Sequence, residues 1–161
     1  MARAIKPVAD DGAVQQVLYD WGVGSYHDAM YAGITGQGVQ KNIMDAYRYI
    51  VQNYTPGDEL FFFGFSRGAY TVRSLCGMIN NVGLLKRADA NLIQIAFDHY
   101  KRGWPDYAPE GKASIAFRKK TLMGTLAAFA LWVSGIPLAL WAYRCHFSVC
   151  LRIKMSFTTP S

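Results

Sequence analysis

A short apolar run leads directly into a glycine-bracketed serine, and this junction restricts the folds open to the chain. The run Leu60-Phe61-Phe62-Phe63 lies between the turn sequence Thr55-Pro56-Gly57-Asp58 and the pentapeptide Gly64-Phe65-Ser66-Arg67-Gly68. An apolar run bounded by turn residues is typical of a strand buried in a parallel sheet. Apolar residues then recur at helical spacing over 69–80. The sequence therefore predicts a strand, a sharp turn and a helix in immediate succession.

The pentapeptide has the GxSxG pattern, which has chemical meaning only where a strand enters it and a helix leaves it. In that context Ser66 is predicted to be a nucleophile on a strained turn. Gly64 and Gly68 would leave room for that turn and for close packing of the helix on the strand. The backbone N–H of Arg67 would supply part of an oxyanion hole at the helix N-terminus.

The remaining periodicity predicts an α/β domain. Residues 15–19 are typical of a short strand, and residues 39–54 of an amphipathic helix. Residues 88–102 predict a further helix that ends at Gly103. Strands alternating with helices indicate a doubly wound, mostly parallel sheet. The chain is short for a complete domain of this kind, so only part of the sheet is expected.

Beyond these patterns, three segments match a known family in order and approximate spacing. They are Gly57 to Leu75, the sequence Tyr19-Asp20-Trp21-Gly22-Val23-Gly24, and the glycine-rich stretch from Gly33 to Gly38. Together they resemble the α/β-hydrolase family that includes the type VI secretion phospholipase effectors, over roughly residues 11–117. The resemblance implies a serine esterase acting on lipid acyl esters through a Ser, Asp and His triad. It implies no cofactor and no metal.

Two parts of that family pattern have no counterpart in this sequence. The family's acidic-Gly-Thr loop, which follows an apolar strand, is not Asp11-Gly12, because no apolar run precedes it. The triad acid of the family lies in a Trp-Asp-Thr-Val motif soon after the segment matching Phe117, and its histidine lies far downstream. Neither can be placed here.

The other acids and histidines do not replace the missing triad members. The acids after Ser66 are interpreted as solvated surface: Asp89, Asp98, Asp106 and Glu110. His99 adjoins Asp98 on one helix, where neighbouring residues do not face each other. His27 precedes the serine, against the usual chain order, and His146 lies in an anomalous tail. We therefore expect this chain to be inactive.

The tail is anomalous in its charge. All eleven Asp and Glu residues precede Lys112, whereas seven of the seventeen Lys and Arg residues lie from Lys112 onward. The net charge of +6 therefore belongs to the tail, and the composition does not indicate a nucleic-acid partner. The three cysteines fit neither a disulfide framework nor a paired metal site. No signal peptide is recognised, so a cytoplasmic location is the default.

The tail has two interpretations, which divide the chain into a hydrolase part at 11–117 and a tail at 118–161. Residues 121–143 are uncharged and flanked by basic residues, as in a transmembrane helix, which would give a membrane contact and a membrane location. Alternatively, the tail is translated out of frame. In the frame that takes the third base of one codon and the first two of the next, residues 129–144 can encode Cys-Phe-Val-Gly-Ile-Trp-Asp-Thr-Val-Gly-Ala-Leu-Gly-Leu-Pro. This hypothesis places a frameshift near Lys120 and accounts for the missing acid motif.

Two alternatives to an inactive hydrolase fragment stay open at this level. A membrane-anchored esterase would need a base from His146 or from another chain. A non-catalytic binding or immunity-like module would keep a folded core in which Ser66 is dispensable.

Overall fold

The computed structural model describes residues 5–21, 37–65, 67–103, 105–121, 129–134 and 149–154. These residues form a mixed α/β structure. Its strands are β1 (Gln15–Asp20), β2 (Glu59–Phe65), β3 (Phe129–Ser134) and β4 (Val149–Lys154). Its α-helices are α1 (Gln37–Asn53), α2 (Arg67–Val82), α3 (Ile93–Lys101) and α4 (Lys112–Thr121), and a 3₁₀ segment (Arg87–Leu92) precedes α3.

The strands form one sheet in the order β1-β4-β2-β3. β2 and β3 are parallel, with Leu60 opposite Phe129 and Phe65 opposite Ser134. β4 runs antiparallel to both of its neighbours, β1 and β2. The expectation of a mostly parallel sheet is therefore wrong for the described strands, because β4 enters from the tail in the reverse direction. β1, β2 and β3 still point the same way, so their carboxyl ends share one edge of the sheet.

The core lies between the helices and one face of β2. Leu60 and Phe62 are buried in a cluster with apolar side chains of α1, α2 and α3. The alternate residues Phe61, Phe63 and Phe65 are only half-buried. The predicted strand buried in a parallel sheet is therefore present only in part: β2 is parallel to β3 but antiparallel to β4, and the core cluster forms on one of its faces.

Helix α1 is tied to the chain that follows α2 by one buried side chain. The Tyr47 hydroxyl donates to the Gly83 carbonyl (2.9 Å) and accepts from the Leu85 amide (3.2 Å). Gly83 has a φ of 75°, and its N–H bonds the Ile79 carbonyl, as expected of a residue that ends a helix. Helix α2 thus ends at Val82, two residues after the predicted helical spacing over 69–80.

The predicted helix over 88–102 is present in two parts. A kink at Asp89 (φ −99°, ψ 19°) interrupts the 3₁₀ segment, and the regular helix α3 starts only at Ile93. Gly103, with a φ of 72°, follows the last turn as predicted.

The tail does not form the predicted membrane span in its described part. Phe129–Ser134 is a strand paired with β2, so a continuous helix through 121–143 is wrong there. Within the described ranges, no helix combines the length and apolarity needed to cross a membrane. Residues 122–128 and 135–148 lie outside the described residues.

Candidate active site

The candidate site lies where β2 meets α2. The strand ends at Phe65 and the helix begins at Arg67, so one residue, Ser66, connects them. Ser66 itself lies outside the described residues. The strand before the pentapeptide and the helix after it, on which the prediction of a nucleophile elbow depends, are both present.

Gly64 is required by the close approach of the helix to the strand. A Cβ atom at this position would lie 2.5 Å from the Gly68 carbonyl oxygen and 2.8 Å from the Ala69 Cα. Both are backbone atoms, so no side-chain rotation could relieve the clash. Gly64 therefore lets the first turn of α2 pack directly against the end of β2.

Arg67 opens α2 and is half-buried. The amides of the first helical turn have no acceptor within the helix, and the helix dipole is positive at this end. The Thr71 hydroxyl donates to the Arg67 carbonyl at 3.1 Å, one turn further on. The start of α2 therefore has the electrostatics that an oxyanion requires.

The carboxyl ends of three strands meet at this edge of the sheet. Phe65 of β2 is opposite Ser134 of β3. On the other side, Asp20 of β1 and Gly64 of β2 are both opposite Val149 of β4. Asp20 is thus about 10 Å from Gly64, two strand spacings away. The position of Asp20 at this edge depends on the pairing of β1 and β2 with β4, so the sequence of β1 alone does not predict it.

His99, the one histidine among the described residues, lies in a different cluster. Its Nε2 is 2.9 Å from the hydroxyl of Ser114, a fully buried residue. That hydroxyl also lies 3.2 Å from the Asn81 side-chain oxygen and 3.1 Å from the Tyr107 carbonyl. Both oxygens only accept hydrogen bonds, so the single Ser114 proton goes to one of them and His99 Nε2–H donates to Ser114.

This cluster lies far from the start of α2. Asn81 is near the carboxyl end of α2, roughly 20 Å along the helix axis from Arg67 at 1.5 Å per residue. His99 cannot reach a serine at the start of that helix. The sequence did not reveal the His99–Ser114 pair, which belongs to two helices and forms only when α4 folds back onto α3.

The environment of His99 opposes its protonation. Its ring packs against those of Tyr107 (centroids 4.8 Å apart) and Phe117 (5.0 Å). Burial lowers the pKa of His99, and the positive charges of Arg102 and Arg118 lower it further. The neutral imidazole therefore dominates near pH 7.

The remaining residues considered from the sequence are not gathered at the elbow. Asp98 accepts a bond from Gln94 (3.2 Å) and is exposed, as are Asp106 and Glu110. Asp89 is half-buried at the kink before α3. His27 and His146 lie outside the described residues.

Comparison with known proteins gives the family. Residues 1–132 match the family described as the type VI secretion system phospholipase effector Tle1-like catalytic domain. An uncharacterized protein of Saccharomyces cerevisiae is 35% identical over 82 residues, which are 51% of this chain and 11% of the yeast protein. The chain thus spans about a tenth of that relative's length. No solved structure matches. The family match covers more than half of the sequence, so the chain belongs to the Tle1-like catalytic-domain family of type VI secretion phospholipase effectors.

Proposed function

We propose that this chain carries the nucleophile half of a phospholipase-type serine hydrolase that acts on lipid acyl esters. The junction of β2 and α2 supports this proposal. Ser66 is the one residue between the strand and the helix, and the two elements pack too closely for a side chain at position 64. Membership of a phospholipase family supports a lipid ester as the substrate.

The proposed chemistry follows from that position. The Ser66 oxygen attacks the ester carbonyl carbon, and the carbonyl electron pair moves onto oxygen. The Arg67 N–H donates to this oxyanion, and one such donor is worth roughly 10²–10³-fold in rate in serine proteases. The serine proton must pass to a base, and the acyl–oxygen bond then breaks as the leaving alcohol takes up that proton.

We further propose that this chain does not hydrolyse esters by itself, because the part of the chain that the structure describes brings no base, and no acid to orient one, to the start of α2. His99 is held by Ser114 at the far end of α2. Asp20 is at the right edge of the sheet but about two strand spacings from Gly64. A serine without a base keeps the weak nucleophilicity of an ordinary hydroxyl.

A frameshift near Lys120 is our explanation for the missing acid. Helix α4 ends at Thr121, close to the proposed break, although it crosses the predicted boundary at 117/118. In the shifted frame the aspartate of Trp-Asp-Thr-Val draws on the codons of Gly135 and Ile136, which directly follow β3. Phe65 is opposite Ser134. An aspartate encoded just after β3 would thus follow the strand next to the one that leads to Ser66. The codon pattern carries this explanation, because β3 itself consists of tail residues that the hypothesis holds to be out of frame.

A fluorophosphonate probe tests the state of Ser66 in this chain. The probe labels a serine that a base has activated, and intact-protein mass spectrometry detects the adduct. We expect no labelling above that of a Ser66→Ala variant. Labelling that disappears in Ser66→Ala would confirm the nucleophile and refute the proposed inactivity. In that case a Tyr70→Phe variant, altered nearby on α2, should still be labelled.

A further inference from the structure

The outer face of α2 is exposed near the start of the helix and covered further along it. Its inner face is buried through Ala69, Val72 and Leu75. On the outer face, Tyr70 is 65% exposed and Arg73 is also exposed. This pair, with the half-buried Arg67 one turn before Tyr70, forms a surface that we call the α2 entry patch.

The entry patch ends where α3 covers α2. The Tyr100 hydroxyl lies 3.0 Å from where a Cβ atom of Gly77 would be. The Tyr100 side chain is also hydrogen-bonded to Ser74, and burial raises the pKa of Tyr100. Tyr100 thus covers the outer face from Ser74 to Gly77, and it separates the entry patch in the first two turns from the exposed Asn80 in the last turn. The first two turns lie within about 10 Å of Arg67, the first residue of the helix.

Arg73 gives the patch a positive charge that no acidic residue on its own helix offsets. Helix α2 contains no Asp or Glu. Among the described residues, ion pairs join Lys6 to Asp10 and Arg48 to Asp45, and neither involves Arg73. The positive end of the helix dipole adds to the two arginines at this end of α2.

A phospholipid surface presents the complementary groups. Arg donates bidentately to phosphate oxygens. Tyr has an apolar ring with a polar tip, and it is enriched where a bilayer meets water. The core of a protein–protein interface is a wider apolar surface than this patch, which has one exposed tyrosine between two arginines.

We propose that the α2 entry patch binds the head groups of an anionic phospholipid bilayer, with Arg73 on a phosphate and Tyr70 at the level of the ester groups. The inference rests on the proposed function, since it concerns how a lipid ester would be held beside Ser66. Binding to the patch requires no catalysis, so an inactive chain can have it.

Vesicle co-sedimentation tests this surface separately from hydrolysis. The full chain is used as Ser66→Ala, with vesicles of phosphatidylcholine alone or mixed with phosphatidylglycerol. One basic residue at an anionic surface contributes about fivefold in partition, from roughly 1 kcal/mol. We expect Arg73→Gln to weaken binding to the mixed vesicles by about this factor, and Tyr70→Ser to weaken it severalfold.

Two charge-matched controls separate the patch from general attraction by a basic chain. Lys86→Gln removes an exposed cation beyond the far end of α2, and Lys119→Gln removes one from the basic tail. Both should weaken binding clearly less than Arg73→Gln does. The proposal would be overturned if Arg73→Gln, Lys86→Gln and Lys119→Gln weakened binding equally. It would also be overturned if changes at Arg73 and Tyr70 left binding unchanged, or if the protein did not bind the mixed vesicles. Labelling of Ser66 by the fluorophosphonate probe would leave it unaffected.

Discussion

Gly64 has no space for even one methyl group. The added Cβ would meet the backbone of Gly68 and Ala69, so α2 would have to move away from β2. We expect Gly64→Ala to lower the free energy of unfolding by about 1–3 kcal/mol, the usual cost of overpacking. Urea denaturation followed by circular dichroism measures this as a lower midpoint.

Gly77→Ala is the matched control within the same helix. Its Cβ would lie 3.0 Å from the Tyr100 hydroxyl, which is the end of a side chain and can shift. Alanine also favours the helix by up to about 1 kcal/mol. A midpoint near that of the parent protein is therefore expected. A Gly64→Ala protein as stable as the Gly77→Ala protein would contradict the close packing described at the elbow.

At the scale of elements, polar groups attach α4 to α2 and α3, beside the packing of Phe117 against the core. The Arg118 guanidinium donates to the Asn81 carbonyl (2.5 Å) and the Pro109 carbonyl (2.6 Å). Ser114 and His99 join α4 to α3 within the same cluster. The attachment of α4 thus depends on hydrogen bonds of Arg118, Ser114 and His99, and the imidazole of His99 can take up a proton.

This attachment should weaken in mild acid. Folding lowers the pKa of His99 below its ordinary value of 6.5, so below that value the unfolded chain takes up a proton that the folded chain resists. Stability from this group is complete above pH 6.5 and is lost as the pH falls towards the folded-state pKa. We expect the urea midpoint to be lower at pH 5.5 than at pH 7.5.

The comparison with glutamine variants isolates His99. His99→Gln keeps a side-chain donor for Ser114 but cannot titrate, so the difference between the two pH values should shrink. His146→Gln removes a histidine elsewhere and should leave that difference unchanged. A pH dependence that is the same in the parent and in His99→Gln would rule out His99 as its source.

The elements found from the sequence are those whose evidence is local. In α1, β2 and α2 the spacing of the apolar residues matches the face that each element buries, whereas β1 is half-buried along its whole length. The elbow glycines lie within one pentapeptide. Helix α4 escaped prediction because its contacts, from Ser114 and Arg118, go to polar groups distant in sequence. The reversed direction of β4 and the position of Asp20 depend on strand pairing, which no single segment encodes.

At the scale of the whole molecule, the sheet depends on the tail for two of its four strands. β3 and β4 both come from residues after Thr121, and β4 separates β1 from β2. If the tail is translated out of frame, these pairings are not the ones the gene once specified. β1 and β3 are the edge strands here, and open edges favour association between chains.

Restoring the reading frame tests this account of the whole protein. The DNA of the locus, read from the Lys112 codon in the shifted frame, should continue through Trp-Asp-Thr-Val to a later histidine-bearing segment. The protein made from that frame should hydrolyse phospholipid vesicles and take up the fluorophosphonate probe, because Ser66 then has a base and an orienting acid. Ser66→Ala, and asparagine in place of the restored aspartate, should each reduce the rate by at least about 10³-fold. Prompt stop codons in the shifted frame would refute the frameshift, and the described strands β3 and β4 would then be the native partners of β2.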